Sequence, residues 1–369
     1  FSPIPFNEKQ IDQERIEFQK QISIIENNPN LIFKGERFST YMFYLAYHNR
    51  NDDKLILEQL AKALSSKSGI INRTFNKDKS IKDIKQRNKI RLGICSDFLR
   101  NHSISCCFAN VIKDIISSDI EVLILRGPAA KEEDEISQSI NSLSSEVIRL
   151  PGSIKDASNL IINKSIDILF YLDIGMSNFL YLLSLSRLAL VQATTVGHPN
   201  TSGSSEIDYF ISCENFETNK SDNFYSERLI RLSRIPFNYS IPTINKNTFN
   251  FSDINIPKNS FLIGIPHVPF KFHPGYDLVL DKILEEIPNS YLFYVEATNK
   301  NENDKIKYRW SKCTKLILNR TIILPRLGID NFWEIVKNLD IMLDPFYFGM
   351  GTTFYQSMAF NTPVVTMPT

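Results

Sequence analysis

Apolar residues recur at every third or fourth position over residues 11–25, and the same spacing continues over 41–47 and 55–64. That period is helical, so residues 1–75 read as a small cap of two or three helices. A polar, lysine-rich stretch at 76–88 reads as a linker. From Ile90 the period changes. Short β-rich runs at 91–95, 121–125, 146–150, 167–172 and 190–194 alternate with helical patterns such as 104–116 and 157–163. Runs 208–212 and 228–232 read as further strands. Such alternation predicts βαβ units and a parallel sheet covered on both faces.

After a polar stretch at 238–259 the alternation restarts. Strands are expected at 261–265, 291–295, 321–324, 340–343 and 363–367. Helices are expected at 276–286, 304–310, 331–337 and 353–360. The fold class is therefore α/β, with two successive Rossmann-like lobes at 76–245 and 246–369 behind the helical cap. In a two-lobed protein of this kind the carboxyl ends of both parallel sheets can face one cleft, and ligands sit at those ends.

Composition narrows the function. The 369 residues suffice for about two domains with real cores. A net charge of +1 gives no basic face sized for nucleic acid. No apolar run approaches the roughly 18 residues of a membrane span, and no signal-peptide pattern opens the chain. The five cysteines have neither disulfide-framework nor zinc-ligand spacing, which suggests free thiols in a reducing, cytoplasmic setting. The chain opens on Phe1 and closes on Thr369, which reads as a fragment at both ends.

Four loops that follow strands could carry chemistry. In the run from Leu343 to Gln356, a strand ends, Gly349 and Gly351 follow, and a helix opens near Thr352. Free backbone N–H groups and the helix dipole make that a ready diphosphate site, with Thr352 and Thr353 adding hydroxyl donors. The alternative is that Thr352 simply caps the helix. Lys271, between a strand and a helix, can neutralise leaving-group phosphate or be a surface lysine. His102 follows the first Rossmann strand and can be a base, a phosphate or sugar contact, or a helix-start residue. The segment from Thr195 to Gly203, rich in Gly, Thr and Ser, is a sugar or acceptor contact or an ordinary turn.

These loops, taken in order, resemble the catalytic region of the O-GlcNAc transferase family over nearly the whole chain. Ser96-Asp97-Phe98-Leu99-Arg100-Asn101-His102 resembles the family's first-lobe opening. Gln192 through Gly197-His198-Pro199-Asn200-Thr201-Ser202-Gly203, with Asp208-Tyr209 after it, is similar to its Gln-x-x-x-x-Gly-x-Pro-Gly-Thr-Ser-Gly segment. Tyr225–Leu229, Phe270–Pro274 and Leu324–Arg326 correspond to the next element, the lysine loop and the nucleobase loop. Gly351-Thr352-Thr353 through Pro363 corresponds to the diphosphate helix, and the helical start is similar to the cap of bacterial members. Gln356 stands where the family has Asp or Glu on the ribose, Asn200 replaces a Gly, and His267-Val268 replace a polar pair.

The resemblance implies a GT-B enzyme, inverting and metal-independent, that moves GlcNAc or another hexose from a UDP-sugar to a protein or peptide side chain. It implies no cofactor beyond that donor. Lys271 would contact the diphosphate with Gly351, Thr352 and Thr353. Arg326 would flank uracil, Gln356 would meet the ribose, and His102 would lie near sugar and acceptor as the candidate base. Two alternatives stay open: a retaining GT-B enzyme acting on a glycan or small molecule, and a sugar-nucleotide-binding or interaction protein without catalysis. Gln356 weighs against the first and for the second. The chain also stops before the family's remaining βα units, so Val364 and Val365 are expected at an unfinished sheet margin.

Overall fold

A computed structural model describes residues 1–32, 42–67, 71–130, 134–242, 244, 250–251, 254 and 256–367. Two compact units result. One holds the described residues of Glu17–Phe43 and Arg50–Ser240, the other those of Phe1–Ile16, Tyr44–Asn49 and Ile241–Thr369. The stretch that reads as one helical cap is thus divided between them. Helix α1 (Glu8–Asn27) gives its first half to one and its second half to the other, and α2 (Asp53–Ser65) belongs to the first. The expected lobe boundary between 245 and 246 lies outside the described residues.

The larger unit carries a seven-stranded parallel sheet of order β3-β2-β1-β4-β5-β6-β7. Its strands are β1 (Ile90–Ser96), β2 (Ile120–Arg126), β3 (Glu146–Arg149), β4 (Ile168–Tyr171), β5 (Val191–Thr195), β6 (Tyr209–Cys213) and β7 (Arg228–Leu232). Helices α3 (Lys77–Gln86), α4 (Ser103–Ile115), α5 (Glu135–Ser142), α6 (Ile154–Asn163) and α7 (Asn178–Ser184) connect or precede them. Leu92 and Ile94 of β1 and Val122 and Ile124 of β2 pack with Phe108 and Ile112 of α4 into one core. Every second residue of a strand points to one face, so the apolar run from Val122 to Leu125 of β2 is buried on both.

Residues 76–88 are not a linker. They form α3, whose N-cap Asn76 accepts the backbone N–H of Lys79 at 2.9 Å. The helix has no buried residue, and its lysines conceal a start signal that the Asn cap supplies. Helix α7 is the opposite case: Leu180, Tyr181, Leu182 and Leu183 are all buried, so no helical stripe of polar residues marks it.

The second unit carries a five-stranded parallel sheet of order β10-β9-β8-β11-β12. Its strands are β8 (Phe261–Gly264), β9 (Ser290–Val295), β10 (Thr321–Leu324), β11 (Ile341–Leu343) and β12 (Val364–Val365). Its helices are α8 (Pro274–Glu286), α9 (Lys300–Cys313), α10 (Ile329–Asn338) and α11 (Thr352–Ala359). Leu292 and Tyr294 of β9 enter one apolar cluster with Ile306 and Trp310, whereas Phe293 enters another with Ile335, Val336 and Met342. Helices therefore cover both faces. Arg309 and Asp277, both buried, form a bidentate pair with bonds of 2.7 and 2.9 Å. Trp310 Nε1 donates to the same carboxylate at 3.0 Å, so both charges are compensated where they are desolvated. β12 is two residues long, sits at a sheet edge, and leaves Val365 53% exposed.

In both sheets the strand order reverses around the first strand. The switch lies between β1 and β4 in one unit and between β8 and β11 in the other. Crevices for ligands open at such points, outside the carboxyl ends of the strands.

Candidate functional site

In the second unit, the loops after β8 and β11 flank the switch. The β11–α11 loop takes left-handed backbone at Tyr347 (φ 76°), Gly349 (φ 76°) and Gly351 (φ 64°). Glycine adopts that region freely, but Tyr347 does so at a cost, a strain that surrounding contacts must hold in place. Gly351 is the N-cap of α11 and offers no side-chain cap. Thr352 is thus the first helical residue and not the cap, and the N–H groups of the first turn receive no side-chain acceptor from that position. Thr352 and Thr353 are half-buried in that turn.

Lys271, in a short 3-10 turn after β8, reaches this helix start. Its Nζ donates to Gly349 O at 2.8 Å and Met350 O at 3.1 Å, and stands 4.9 Å from the Phe348 ring centroid. Burial pulls its pKa from 10.5 down to about 8, with Asp344 pulling the other way. Beside it, His267 is buried and donates its Nε2–H to Leu343 O at 3.0 Å. Burial, followed by the Lys271 charge, lowers its pKa to about 3, so this histidine is neutral. Asp344 accepts the Thr366 hydroxyl at 2.7 Å on one carboxylate oxygen. His267 and Asp344 border Lys271; in the sequence His267 stands out only as a departure from the family's pattern, and Asp344 only as a strand end. The structure thus brings Lys271, Gly351, Thr352 and Thr353 together. Gln356 is 9% exposed in the second turn of α11, and Arg326 is exposed in the loop after β10.

In the first unit, His102 is the N-cap of α4. Its Nδ1 accepts the Ile104 N–H at 3.2 Å, and its ring stacks on Phe98 at 4.5 Å. Burial and then the Arg100 charge lower its pKa to about 4. The cap occupies the Nδ1 lone pair of the neutral ring, leaving the proton on Nε2. Behind it lies a reciprocal brace. Asp173, after β4, accepts the hydroxyl of Ser96, the last residue of β1, at 3.1 Å. Asp97, in the β1 loop, accepts the hydroxyl of Ser177, the N-cap of α7, and the Ala129 N–H at 3.1 Å. Both carboxyls are buried, and burial raises both pKa values, Asp173 the more.

The Thr195–Gly203 segment is mostly committed inward. Glu227 accepts Thr201 Oγ1 at 2.6 Å and the Ser202 N–H at 2.8 Å, and Asn200 donates to Asp53 at 2.9 Å. Asn200, the departure from the family's Gly, thereby ties the loop to α2. Among the described residues, no group of three or more His, Cys, Asp or Glu side chains could hold a metal ion, and no helix is long and apolar enough to cross a membrane.

No protein-family model matches the chain. An Arabidopsis thaliana protein named "Probable UDP-N-acetylglucosamine–peptide N-acetylglucosaminyltransferase SEC" is 23% identical over 293 residues, which is 76% of this chain and 29% of that protein. SPINDLY of Hordeum vulgare, named for the same activity, is 27% identical over 218 residues, 58% of this chain and 23% of that protein. The chain spans less than a third of either relative's length. The solved O-GlcNAc transferase of Thermobaculum terrenum, a point mutant, superimposes with TM-score 0.64 at 19% identity, covering 88% of this chain and 65% of that one. Two parallel, helix-covered sheets with this match make the fold GT-B, and the chain is similar in sequence and fold to O-GlcNAc transferases.

Proposed function

We propose that this protein is a glycosyltransferase that moves a sugar from a UDP-sugar to a protein or peptide side chain. The observation that carries the reading is the Lys271 ammonium on the carbonyls of Gly349 and Met350, at the uncapped start of α11. An ammonium and free N–H groups converging on one point suit a diphosphate leaving group. The names of the plant relatives supply the sugar and acceptor classes.

The acceptor nucleophile attacks the anomeric carbon, the bond from that carbon to the diphosphate oxygen breaks, UDP departs, and the acceptor's proton passes to water or to the departing diphosphate. Configuration inverts because attack and departure are on opposite faces. Negative charge grows on the leaving oxygen, where Lys271 and the first turn of α11 stabilise it without a metal ion. Arg326 flanks the uracil and Gln356 serves the ribose. His102, with its proton on Nε2, serves better as a hydrogen-bond donor to sugar or acceptor than as the base. Five free cysteines fit a cytoplasmic setting.

A donor screen tests this: UDP-GlcNAc, UDP-Glc, UDP-Gal and GDP-sugars offered with peptide acceptors, read as released nucleotide. Release of UDP from a UDP-sugar is expected, and preference for a GDP-sugar overturns the donor assignment. The neutral Gln356 and the capped His102 favour one second reading, a sugar-nucleotide-binding protein, for which UDP binds but no donor turns over.

A further inference from the structure

Residues Tyr44–Asn49 lie more than 200 positions before the second sheet in the chain, yet they belong to its compact unit. Tyr47 is 7% exposed there. Its ring lies flat on Phe348, with centroids 4.0 Å apart and planes at 17°. It also meets Phe270 edge-on at 5.3 Å, and Tyr44 meets the same ring at 5.8 Å. Phe270 directly precedes Lys271, and Phe348 lies beneath the Lys271 ammonium. One tyrosine thus braces both neighbours of the lysine.

We propose that Tyr47 is a positioning residue for the anion site: its ring fixes Phe348 and Phe270, and they hold the Lys271 ammonium at the start of α11, where a nucleoside diphosphate docks. The docking part rests on the reading of α11 given above. Phe348 sits between two left-handed residues, Tyr347 and Gly349, in a loop that packing must hold. A cation over a ring face is attracted to it, and more strongly where water is excluded. A lysine has four rotatable bonds, so an ammonium placed beforehand loses less entropy when the anion arrives.

The test uses the full chain. UDP is titrated calorimetrically into wild type, Tyr47→Phe, Tyr47→Leu, Phe348→Leu and the Tyr47→Leu/Phe348→Leu double variant. In parallel, the Lys271 titration is followed by NMR of labelled lysine ε-carbons, with Lys271→Ala assigning the signal. Tyr47→Phe keeps the ring and is expected within about twofold of wild type. Tyr47→Leu and Phe348→Leu are each expected to weaken UDP binding by about 3–10-fold. Because both act on one element, the double variant should be little weaker than Phe348→Leu alone. The Lys271 midpoint should rise from about 8 toward 10.5 in Tyr47→Leu as the ammonium gains water. If Tyr47→Leu binds UDP like wild type with an unmoved midpoint, the proposal is overturned. It is overturned equally if Tyr47→Phe loses as much as Tyr47→Leu. A wild type that ignores UDP while the Tyr47→Leu midpoint still rises removes the donor reading and upholds the positioning of Lys271.

Discussion

A Cβ atom at Gly127 would stand 1.9 Å from Oδ1 of Asp97, so the residue after β2 has no side chain because the buried carboxylate occupies that space. Asp97 is held by Ser177 and Ala129 and cannot swing away freely. Gly127→Ala should destabilise the first unit by about 1–3 kcal/mol, the usual range for overpacking. Gly152→Ala is the control, since nothing lies within 4 Å of its Cβ position. Urea unfolding compares the two, and equal midpoints would show that Asp97 is not fixed.

His102 offers a separation of cap from chemistry. Replacement by Ala removes the acceptor for the Ile104 N–H and should cost about 1 kcal/mol. His102→Asn keeps a good cap and should melt like wild type. Loss of turnover in that variant despite an unchanged melt assigns His102 a contact with sugar or acceptor, and full turnover confines it to capping.

Lys271→Ala should weaken UDP binding by roughly 1.5–3 kcal/mol, the worth of a charge-assisted bond to phosphate. Only the charged lysine binds well, and its pKa in the free protein is about 8. Affinity should therefore be flat below that pH and fall above it, with a proton taken up on binding near pH 8. Titrations in two buffers of different ionisation heat detect the uptake. An affinity indifferent to pH from 7 to 10 sinks the assignment.

Acid should loosen both units. His102 and His198 titrate at about 4 and His267 at about 3, each lowered from 6.5 chiefly by burial. Between those values and 6.5 the unfolded chain binds protons that the folded chain refuses, so stability falls as pH drops through that window. His267→Gln, which can still donate to Leu343 O, should flatten the decline. Melting curves from pH 7 to 4 decide it.

If Lys271 and α11 meet the charge on the leaving diphosphate as proposed, turnover should persist in excess EDTA. Loss on chelation, restored by magnesium or manganese, overturns that account of the site.

Much of this protein is legible in its sequence. Short β-rich runs flanked by polar turns mark the strands of both sheets, because a strand buried on two faces is mostly apolar and hydrogen-bonds the few polar side chains it buries, as Gln192 does in β5. The Gly349–Thr353 stretch announces a loop and helix start, since glycine spacing and backbone geometry are local properties. Helix α3 escaped because a solvated helix leaves no apolar stripe, and α7 because a wholly buried one leaves no polar stripe. What the tertiary structure alone decided is which distant residues meet. Nothing in the spacing of Tyr47, Phe270 and Phe348 says that they stack around Lys271. Nor does it say that Asp97 and Asp173 exchange serines across the β1 and β4 loops. Those relationships depend on strand order, and strand order is set by how all the apolar faces are buried at once. Local pattern determines the elements; only their joint packing sets which side chains share a site.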